Sequence, residues 1–241
     1  MIIRTTLITT GLIAASLATV FASGAAQAAL QGRDLNGSAG SFEAYYDTVL
    51  DITWLADANY AQTSGYDTDG LMDWTAANAW AAQLNINGYD NWRLPTVEPV
   101  NGSTFNYSYS LNGSTDIGYS ITSPNSEMAH LFSVTLGNPG YYTAGAVSGC
   151  FVSSSTCLDN VGPFSNLQPN FYWSATEFAL YTVDAWLFDM NFGFQATNLK
   201  DDGSYALAVR PGDVAAVPEA QTYALMLAGL GLVGWRAWRR G

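Results

Sequence analysis

FYWSATEF (residues 171–178) and VDAWLFDM (183–190) are two short runs rich in aromatic residues, and they decide the fold class. In the second run the side chains alternate between two faces, which is the period of a β-strand. The chain then turns back around Gly193, and SYALAVRP (204–211) adds a further strand. These segments predict an antiparallel sheet in the last third of the chain.

Two helices are predicted upstream of this sheet. The first has Asp73 as its N-cap and ends at Asn87 and Gly88. The second has Ser123 as its cap, and His130 points away from its apolar stripe. The two stripes comprise Ala77, Trp80, Ala81 and Leu84, and then Met128, Leu131, Phe132 and Thr135. His130 is therefore expected at the surface or in a hydrogen bond, without a catalytic role.

The remaining segments predict one hairpin and two long loops. Residues 42–55 are rich in aromatic and β-branched residues around a break at 47–50, as in a β-hairpin. Residues 101–123 and 137–170 are rich in Gly, Ser, Asn and Tyr, and loops of this length are commonly functional surfaces. Helices that precede an antiparallel sheet indicate an α+β domain.

The middle of the chain is strongly acidic. Between residues 29 and 217 there are nineteen Asp or Glu but only four Lys or Arg, which gives a formal charge of −15. Such a surface repels phosphate backbones and anionic headgroups, so no nucleic-acid partner is expected. It attracts divalent cations or cationic polymers, and the same repulsion keeps an exported protein soluble.

The N-terminus has the features of a cleaved export signal. A basic start at Arg4 is followed by an uncharged apolar stretch, residues 7–21, and by the small residues Ala-Gln-Ala at 26–28. We therefore predict a signal peptide over residues 1–28 and a mature chain that starts at Ala29. A first transmembrane helix is the alternative, which the small residues disfavour.

Cys150 and Cys157 are expected to form a disulfide, because an even cysteine count in an exported chain is typical of one. The loop that it closes is short, so the chain-entropy model gives a stabilisation of about 2–3 kcal/mol. A metal site would need further soft ligands, and the only histidine lies well upstream.

The C-terminal end predicts a membrane-spanning helix. Residues 220–235 contain no charge, and as a helix they would reach about 24 Å against a hydrocarbon core of about 30 Å. Interfacial tryptophans and the arginines that follow allow this run to span the membrane with some bilayer thinning. We predict a transmembrane helix over about 220–238, with the basic end in the cytoplasm.

Residues 217–241 resemble the PEP-CTERM sorting tag. The residues that carry the resemblance are Pro218, Glu219, Arg236, Arg239 and Arg240. The resemblance implies handling by an exosortase, a membrane protease of Gram-negative bacteria that make extracellular polysaccharide. The chain would be an inner-membrane-anchored precursor before it reaches the cell surface or the medium. Ala220 stands where the family usually has its second proline, which puts efficient processing in question.

The middle of the chain resembles the Lcl C-terminal domain family. The motifs follow the family's order and are YDTVLDITWL (46–55), MDWTAANAWAAQLN (72–85), GYDNWRLPTVE (88–98), YWSATEF (172–178) and YALAVRP (205–211). That family is grouped with C-type-lectin-like and formylglycine-generating-enzyme-like folds. The resemblance implies an α+β domain over residues 29–214, with two helices on a twisted antiparallel sheet and long loops. Pro99 departs from the family, because it shortens the helix that usually follows Trp-Arg-Leu-Pro-Thr.

The Trp-Arg-Leu-Pro-Thr motif has a structural interpretation of its own. Arg93 is expected to pair with a carboxylate or to stack on an aromatic ring, and so to fix the turn after the first helix. Thr96 can cap a short helix after the motif. Arg210 is interpreted as structural, and Trp173 and Trp186 as core residues.

Three local patterns are candidate sites. Asp67, Asp69 and Asp73 surround a glycine turn, as in a calcium loop, although Asp73 also suits a helix cap and the bidentate acid of an EF-hand is missing. LQPN (167–170) resembles the Glu-Pro-Asn tripeptide of sugar-binding C-type lectins but lacks its acid. The two cysteines differ in spacing from the redox pair of formylglycine-generating enzymes.

No catalytic residue is assigned, because no Ser, His and carboxylate constellation can be assembled and no carboxylate pair stands out. We therefore expect a non-enzymatic binding or adhesion module of the cell surface or biofilm matrix, whose aromatic, loop-rich surface binds a polysaccharide or another matrix component. Its expected partners also include signal peptidase, exosortase and the membrane, through the C-terminal helix. A secreted enzyme, glycan-active or formylglycine-generating-enzyme-like, and a purely structural matrix component are the alternatives.

Overall fold

The computed structural model describes residues 30–38, 40–142, 150 and 156–214. The strands are β1 (Leu30–Arg33), β2 (Ala44–Asp47), β3 (Ile52–Leu55), β4 (Tyr109–Ser110), β5 (Ile117–Tyr119), β6 (Phe171–Glu177), β7 (Asp184–Asp189), β8 (Phe194–Leu199) and β9 (Val209–Pro211). The helices are α1 (Tyr60–Thr63), α2 (Trp74–Gln83) and α3 (Glu127–His130), which continues into a π-helical turn, Leu131–Thr135.

The two terminal segments of the sequence prediction, the signal peptide and the transmembrane helix, lie outside the described residues. In the part of the chain that is described, no helix has the length and apolar character needed to cross a membrane.

The strands form two sheets. The first has the order β1-β2-β3-β9 with antiparallel neighbours, and the second has the order β4-β5-β8-β7-β6, in which only β4 and β5 are parallel. The fold is therefore α+β and mostly sheet, as predicted, but the single twisted sheet that the family resemblance implied is wrong. The last strand leaves its sequence neighbours and pairs with the N-terminal hairpin, where Ile52 lies opposite Pro211.

The predicted hairpin over residues 42–55 and the predicted turn at Gly193 are both present. In the first, Ala44 lies opposite Leu55, and the Asp47 carboxylate accepts hydrogen bonds from the backbone of the turn. In the second, β7 and β8 are joined at Gly193, whose φ is 70°. A Cβ there would also collide with Phe132, so the turn requires glycine.

The core consists of two large clusters on either side of the segment 205–209. Leu207 and Val209 pack into the first cluster, while Ala206 and Ala208 pack into the second. The side chains of this segment thus alternate between the two clusters, and both of its sides are buried. Trp173 and Trp186 are fully buried as predicted, Trp173 in the second cluster and Trp186 in a small third one.

The first predicted helix, α2, is confirmed. The Asp73 carboxylate accepts a hydrogen bond from Ala76 N at 2.7 Å, which is the expected N-cap. The helix buries Ala77, Trp80 and Ala81, and it ends at Gln83, some residues before the predicted Asn87.

The second helix starts later than predicted. Ser123 does not cap it, because its hydroxyl accepts from Asn125 N in a local turn, and α3 begins at Glu127. The predicted stripe is buried throughout, with Leu131, Phe132 and Thr135 in the π-helical turn. His130 is not at the surface, since it is 5% exposed with Nδ1 2.9 Å from Thr122 O. Of the two predicted alternatives for His130, surface exposure or a hydrogen bond, the hydrogen bond is the one observed.

The segment predicted as a first long loop, 101–123, contributes two strands, β4 and β5. The buried Asp116 carboxylate organises it, because it accepts from Val100 N at 2.7 Å and from Asn106 N at 2.6 Å. No helix begins in the described segment directly after Thr96, where β4 is the next element, so the predicted cap is wrong. Its backbone N–H donates instead to Glu127.

Candidate functional site

Three neighbouring cavities share wall residues, and the row that they form is hereafter called the groove. The first, of about 290 Å³, and the second, of about 250 Å³, share Phe42. The second and the third, of about 430 Å³, share Tyr60 and Ile86. Ligand sites in proteins typically occupy about 300–1,000 Å³. The first two cavities lie just below this range and the third lies at its lower end, so the row suits an extended ligand better than a compact one.

The ring of Phe42 stands between the first two cavities. It precedes β2 and is 50% exposed. The ring lies directly over Gly32 of β1, where any Cβ would collide with it, and its edge contacts Tyr45 at a centroid distance of 6.1 Å. The exposed ring is therefore held in place by an edge strand that has no side chain beneath it.

The second cavity contains two carboxylates, Glu43 and Asp57. Glu43 accepts hydrogen bonds from Leu35 N at 2.9 Å and from the side chain of Asn36. Asp57 follows β3 and accepts from Asn59 N at 2.9 Å and from an asparagine side chain at 3.0 Å. Neutral donors thus orient both carboxylates, and among the described residues no cation lies within ion-pair distance of either.

The third cavity lies beside α2. Its walls include Tyr60, the half-exposed Tyr66 and Trp80. Trp80 is 1% exposed, and its indole N–H finds no hydrogen-bond acceptor in the described part of the chain. An unpaired buried donor is costly, so a polar group that reached it would be stabilised there.

The basic side chains of the domain are all engaged elsewhere. The four contacts are Arg33 with Asp213, Arg93 with Glu127, Lys200 with Glu177, and Arg210 over the ring of Tyr89. Among the residues that the structure describes, none of these cations lines a cavity of the groove. The prediction that Arg93 pairs with a carboxylate and that Arg210 is structural agrees with these contacts.

A second aromatic surface lies on the side of the second sheet where β4 and β5 are found. Its rings belong to Tyr109, Tyr119, Tyr141, Tyr142, Phe192 and Phe194, with neighbouring centroids 4.7 to 6.4 Å apart. Burial and the surrounding charges raise the pKa of Tyr119 to about 12. These rings mainly contact one another, so we interpret this surface as structural and the groove as the candidate site.

Asp189 lies beneath this second surface, and the burial of its carboxylate can be tested through the pH dependence of stability. It is 5% exposed, and desolvation raises its pKa although Asn191 N donates to the carboxylate at 2.8 Å. The folded pKa lies above the unfolded one, so the charged form costs stability at neutral pH. That cost disappears as the pH falls through the folded pKa, because the folded protein then takes up a proton before the unfolded chain does.

We expect Asp189→Asn to be more stable than the wild type at neutral pH and to lose this advantage on acidification. The measurement is urea unfolding of both proteins from about pH 7 to about pH 4, close to the unfolded value of an aspartate. Taking the difference between the two proteins removes the contribution of the other acids. A stability difference that does not change with pH would contradict the assignment.

The predicted calcium residues do not converge on one point. Asp67 accepts from the backbone of Asp69 and Gly70, Asp69 accepts from Leu71 N, and Asp73 caps α2. In the described ranges no group of three or more His, Cys, Asp or Glu side chains is placed to hold a metal ion. Each carboxylate therefore has a local structural use, and calcium binding here stays a prediction.

The other predicted site residues have structural surroundings. A disulfide joins Cys150 and Cys157, as expected, and the backbone of Cys157 donates to Asn191 O. In the LQPN segment the backbone of Gln168 donates to the Tyr172 hydroxyl at 2.8 Å. The sorting residues Pro218, Glu219, Arg236, Arg239 and Arg240 lie outside the described residues.

The groove itself was not predicted from the sequence. Phe42, Asp57, Ile86 and Ser165 come from separate segments, which the fold brings together around the second cavity. Backbone hydrogen bonds from Ala58 to Ser165 and from Ser165 to Ala56 join two of these segments. The local signal was a Phe-Glu pair at the start of the predicted hairpin, which places an aromatic and an acidic side chain next to each other.

The fold and the C-terminal tag together define an exported α+β protein. The model of the Lcl C-terminal domain matches residues 43–210, more than half of the chain, so the chain belongs to that family. The PEP-CTERM protein-sorting motif matches residues 216–240 and marks the chain as a Gram-negative exported protein that an exosortase sorts. Neither a curated protein nor a solved structure matches the chain.

Proposed function

We propose that this protein is a non-enzymatic binding module of the cell surface or extracellular matrix, and that its domain holds a polysaccharide in the groove. The observation that carries the proposal is the row of three cavities joined by the shared residues Phe42, Tyr60 and Ile86. A polysaccharide repeats along its length, so it can occupy adjoining shallow cavities in the same way.

The chemistry of the walls supports a sugar ligand. Aromatic rings offer flat apolar faces, and the polar atoms beside them fix orientation, which is the usual composition of a small-ligand site. In the second cavity Phe42 and Tyr60 stand beside Glu43 and Asp57. Sugar rings have an apolar face and a rim of hydroxyl groups, and they match such walls.

The sorting tag supports the proposed location. It places the protein in a bacterium that exports it through an exosortase system. We propose that the precursor is held in the inner membrane by the C-terminal helix and that the domain, with a C-type-lectin-like arrangement, then acts outside the cell. Fold alone does not assign a ligand, so the groove and not the family carries the functional proposal.

Phe42→Ala is expected to weaken polysaccharide binding about tenfold, which corresponds to the loss of one stacked ring. The full chain, purified from its export host, is titrated by calorimetry with three hexasaccharides: N-acetylglucosamine, glucosamine and galacturonate. Tyr181→Ala is the matched control, because this ring is 65% exposed but lines none of the three cavities.

Gly32→Ala gives an independent test, since it changes no aromatic residue but forces the ring of Phe42 to move. We expect it to weaken binding as Phe42→Ala does, with little change in the unfolding temperature, because the ring can rotate into solvent. Absence of binding to all three sugars by the wild type, or equal binding by the wild type and both groove variants, would overturn the proposal.

A further inference from the structure

We propose that the groove selects cationic polysaccharides, that is, amino-sugar polymers with free ammonium groups, and rejects anionic ones. This inference rests on the proposed function and adds the class of its ligand. It follows from where the charged side chains of the domain lie.

The carboxylates of the second cavity carry uncompensated charge. Glu43 and Asp57 are partly buried, and in the described part of the chain neither has a cation within ion-pair distance. Their hydrogen-bond donors are backbone N–H groups and neutral side chains. Two residues that line this cavity therefore carry negative charges that no described cation neutralises, and a partly desolvated site strengthens their attraction for a cation.

The basic residues could not serve an anionic ligand. The guanidinium of Arg93 is bound at both nitrogens by Glu127, and that of Arg33 donates to both oxygens of Asp213. The Lys200 ammonium lies over the ring of Trp74 at 4.3 Å and contacts Glu177. A sulfated or uronate polymer would meet carboxylates in the groove without a compensating cation, and the negative charge of the domain would repel it at longer range.

The aromatic walls fit the same ligand. A protonated amino sugar has an apolar ring face and one ammonium group at its edge. The ring face can stack on Phe42 or Tyr60, and the ammonium then lies near Glu43 or Asp57, which line the same cavity. An ammonium is also attracted by the faces of the aromatic rings themselves. The aromatic and the acidic side chains of this cavity thus both favour a protonated amino sugar.

The experiment compares two sugars that differ in one substituent, a charged ammonium in one and a neutral acetamide in the other. The full chain is titrated with the glucosamine hexamer and with the N-acetylglucosamine hexamer at low and at physiological salt. We expect the glucosamine hexamer to bind about tenfold more tightly, with a preference that shrinks as salt rises, because partly exposed charges are screened. The galacturonate hexamer is expected not to bind.

Two pairs of neutralising substitutions locate the effect. Glu43→Gln with Asp57→Asn keeps the size of both side chains and is expected to remove the preference for the glucosamine hexamer. Asp201→Asn with Asp202→Asn removes the same charge from exposed residues that line none of the three cavities, and it is expected to leave the preference unchanged. Thermal unfolding of each variant shows that it is folded.

The outcomes separate the two proposals. If the acetylated and free-amine hexamers bind equally, or if the Asp201 and Asp202 control abolishes the preference as well, the charge selection is refuted while the binding function stands. If no hexamer binds, the polysaccharide-binding function itself is refuted. Binding of the galacturonate hexamer in preference to the other two would also overturn the inference.

Discussion

Replacing Glu127 with alanine is expected to lower the free energy of unfolding by about 3 kcal/mol. The Glu127 carboxylate is 8% exposed and accepts from Arg93 Nη1 at 2.8 Å, from Arg93 Nη2 at 2.7 Å and from Thr96 N at 2.7 Å. The substitution leaves a half-buried guanidinium and a backbone donor without their acceptor, and the penalty for both adds to the lost attraction. For a domain of this size we expect the unfolding temperature to fall by about 6–12 °C, measured by circular dichroism.

Glu177→Ala is the matched control for this prediction. It removes the same kind of side chain from another ion pair, with Lys200, but the Glu177 side chain is 47% exposed. An exposed pair contributes about 1 kcal/mol or less, and Lys200 keeps its contacts with Thr182 O and Trp74. Equal destabilisation by the two substitutions would show that Glu127 does not act as a buried partner.

The Arg93–Glu127 pair also shows what could be predicted from sequence. Arg93 is one of few cations in an acidic domain, so it was expected to pair with a carboxylate or to stack on an aromatic ring, and the first alternative is the one observed. The identity of that partner depends on α3 being packed beside the Trp-Arg-Leu-Pro-Thr segment, 34 residues away in sequence. Local chemistry therefore predicted the interaction, whereas the tertiary fold selected Glu127.

The elements that were predicted correctly are those whose stabilising contacts are local. The N-cap of α2 needs only Asp73 and Ala76, and the hairpin of β2 and β3 needs a turn that begins at Asp47. The pairing of β9 with β3 has no such local signal, because it joins opposite ends of the domain. Division of the strands into two sheets was for this reason not predicted.

The errors around residues 96–123 have a common physical cause. A polar, Gly- and Ser-rich composition predicts a loop, but one buried carboxylate, that of Asp116, accepts hydrogen bonds from two backbone N–H groups around the segment. Its aromatic residues, Phe105 and Tyr107, then pack against the sheet. A single polar side chain can thus order a segment whose composition alone gives no regular period.

The groove was beyond sequence analysis for a related reason. Exposed aromatic and acidic residues are common in this chain, and only their arrangement distinguishes a site from ordinary surface. That Phe42 lies over Gly32 follows from the pairing of β1 with β2, and that Asp57 lies near Ser165 follows from a bridge between distant segments. Composition predicted an acidic, aromatic surface, and the fold determined which of its residues meet.

Trp186→Ala is expected to lower the free energy of unfolding by about 4 kcal/mol. Trp186 is fully buried and stacks on Phe105 at a centroid distance of 5.3 Å, and the edge of Phe178 contacts it at 5.5 Å. Removal of the indole leaves a cavity between β7 and the segment that carries Phe105 and Tyr107. Urea unfolding measures the loss, and hydrogen exchange is expected to rise most over residues 101–116, because Phe105 and Tyr107 of this segment lose the ring on which they pack.

Two conservative variants separate packing from hydrogen bonding. Trp186 Nε1 has no acceptor among the described residues, so Trp186→Phe loses part of the packing but no hydrogen bond. Trp173 is equally buried, but its Nε1 donates to Met72 O at 2.9 Å, so Trp173→Phe also loses that bond. Since a hydrogen bond contributes about 1 kcal/mol, we expect Trp173→Phe to be the more destabilising of the two by about that amount. If Trp186→Phe proves as destabilising as Trp186→Ala, the indole N–H of Trp186 donates a hydrogen bond that stabilises the fold. The order of residues 101–116 would then depend on that hydrogen bond and not on the packing of the ring.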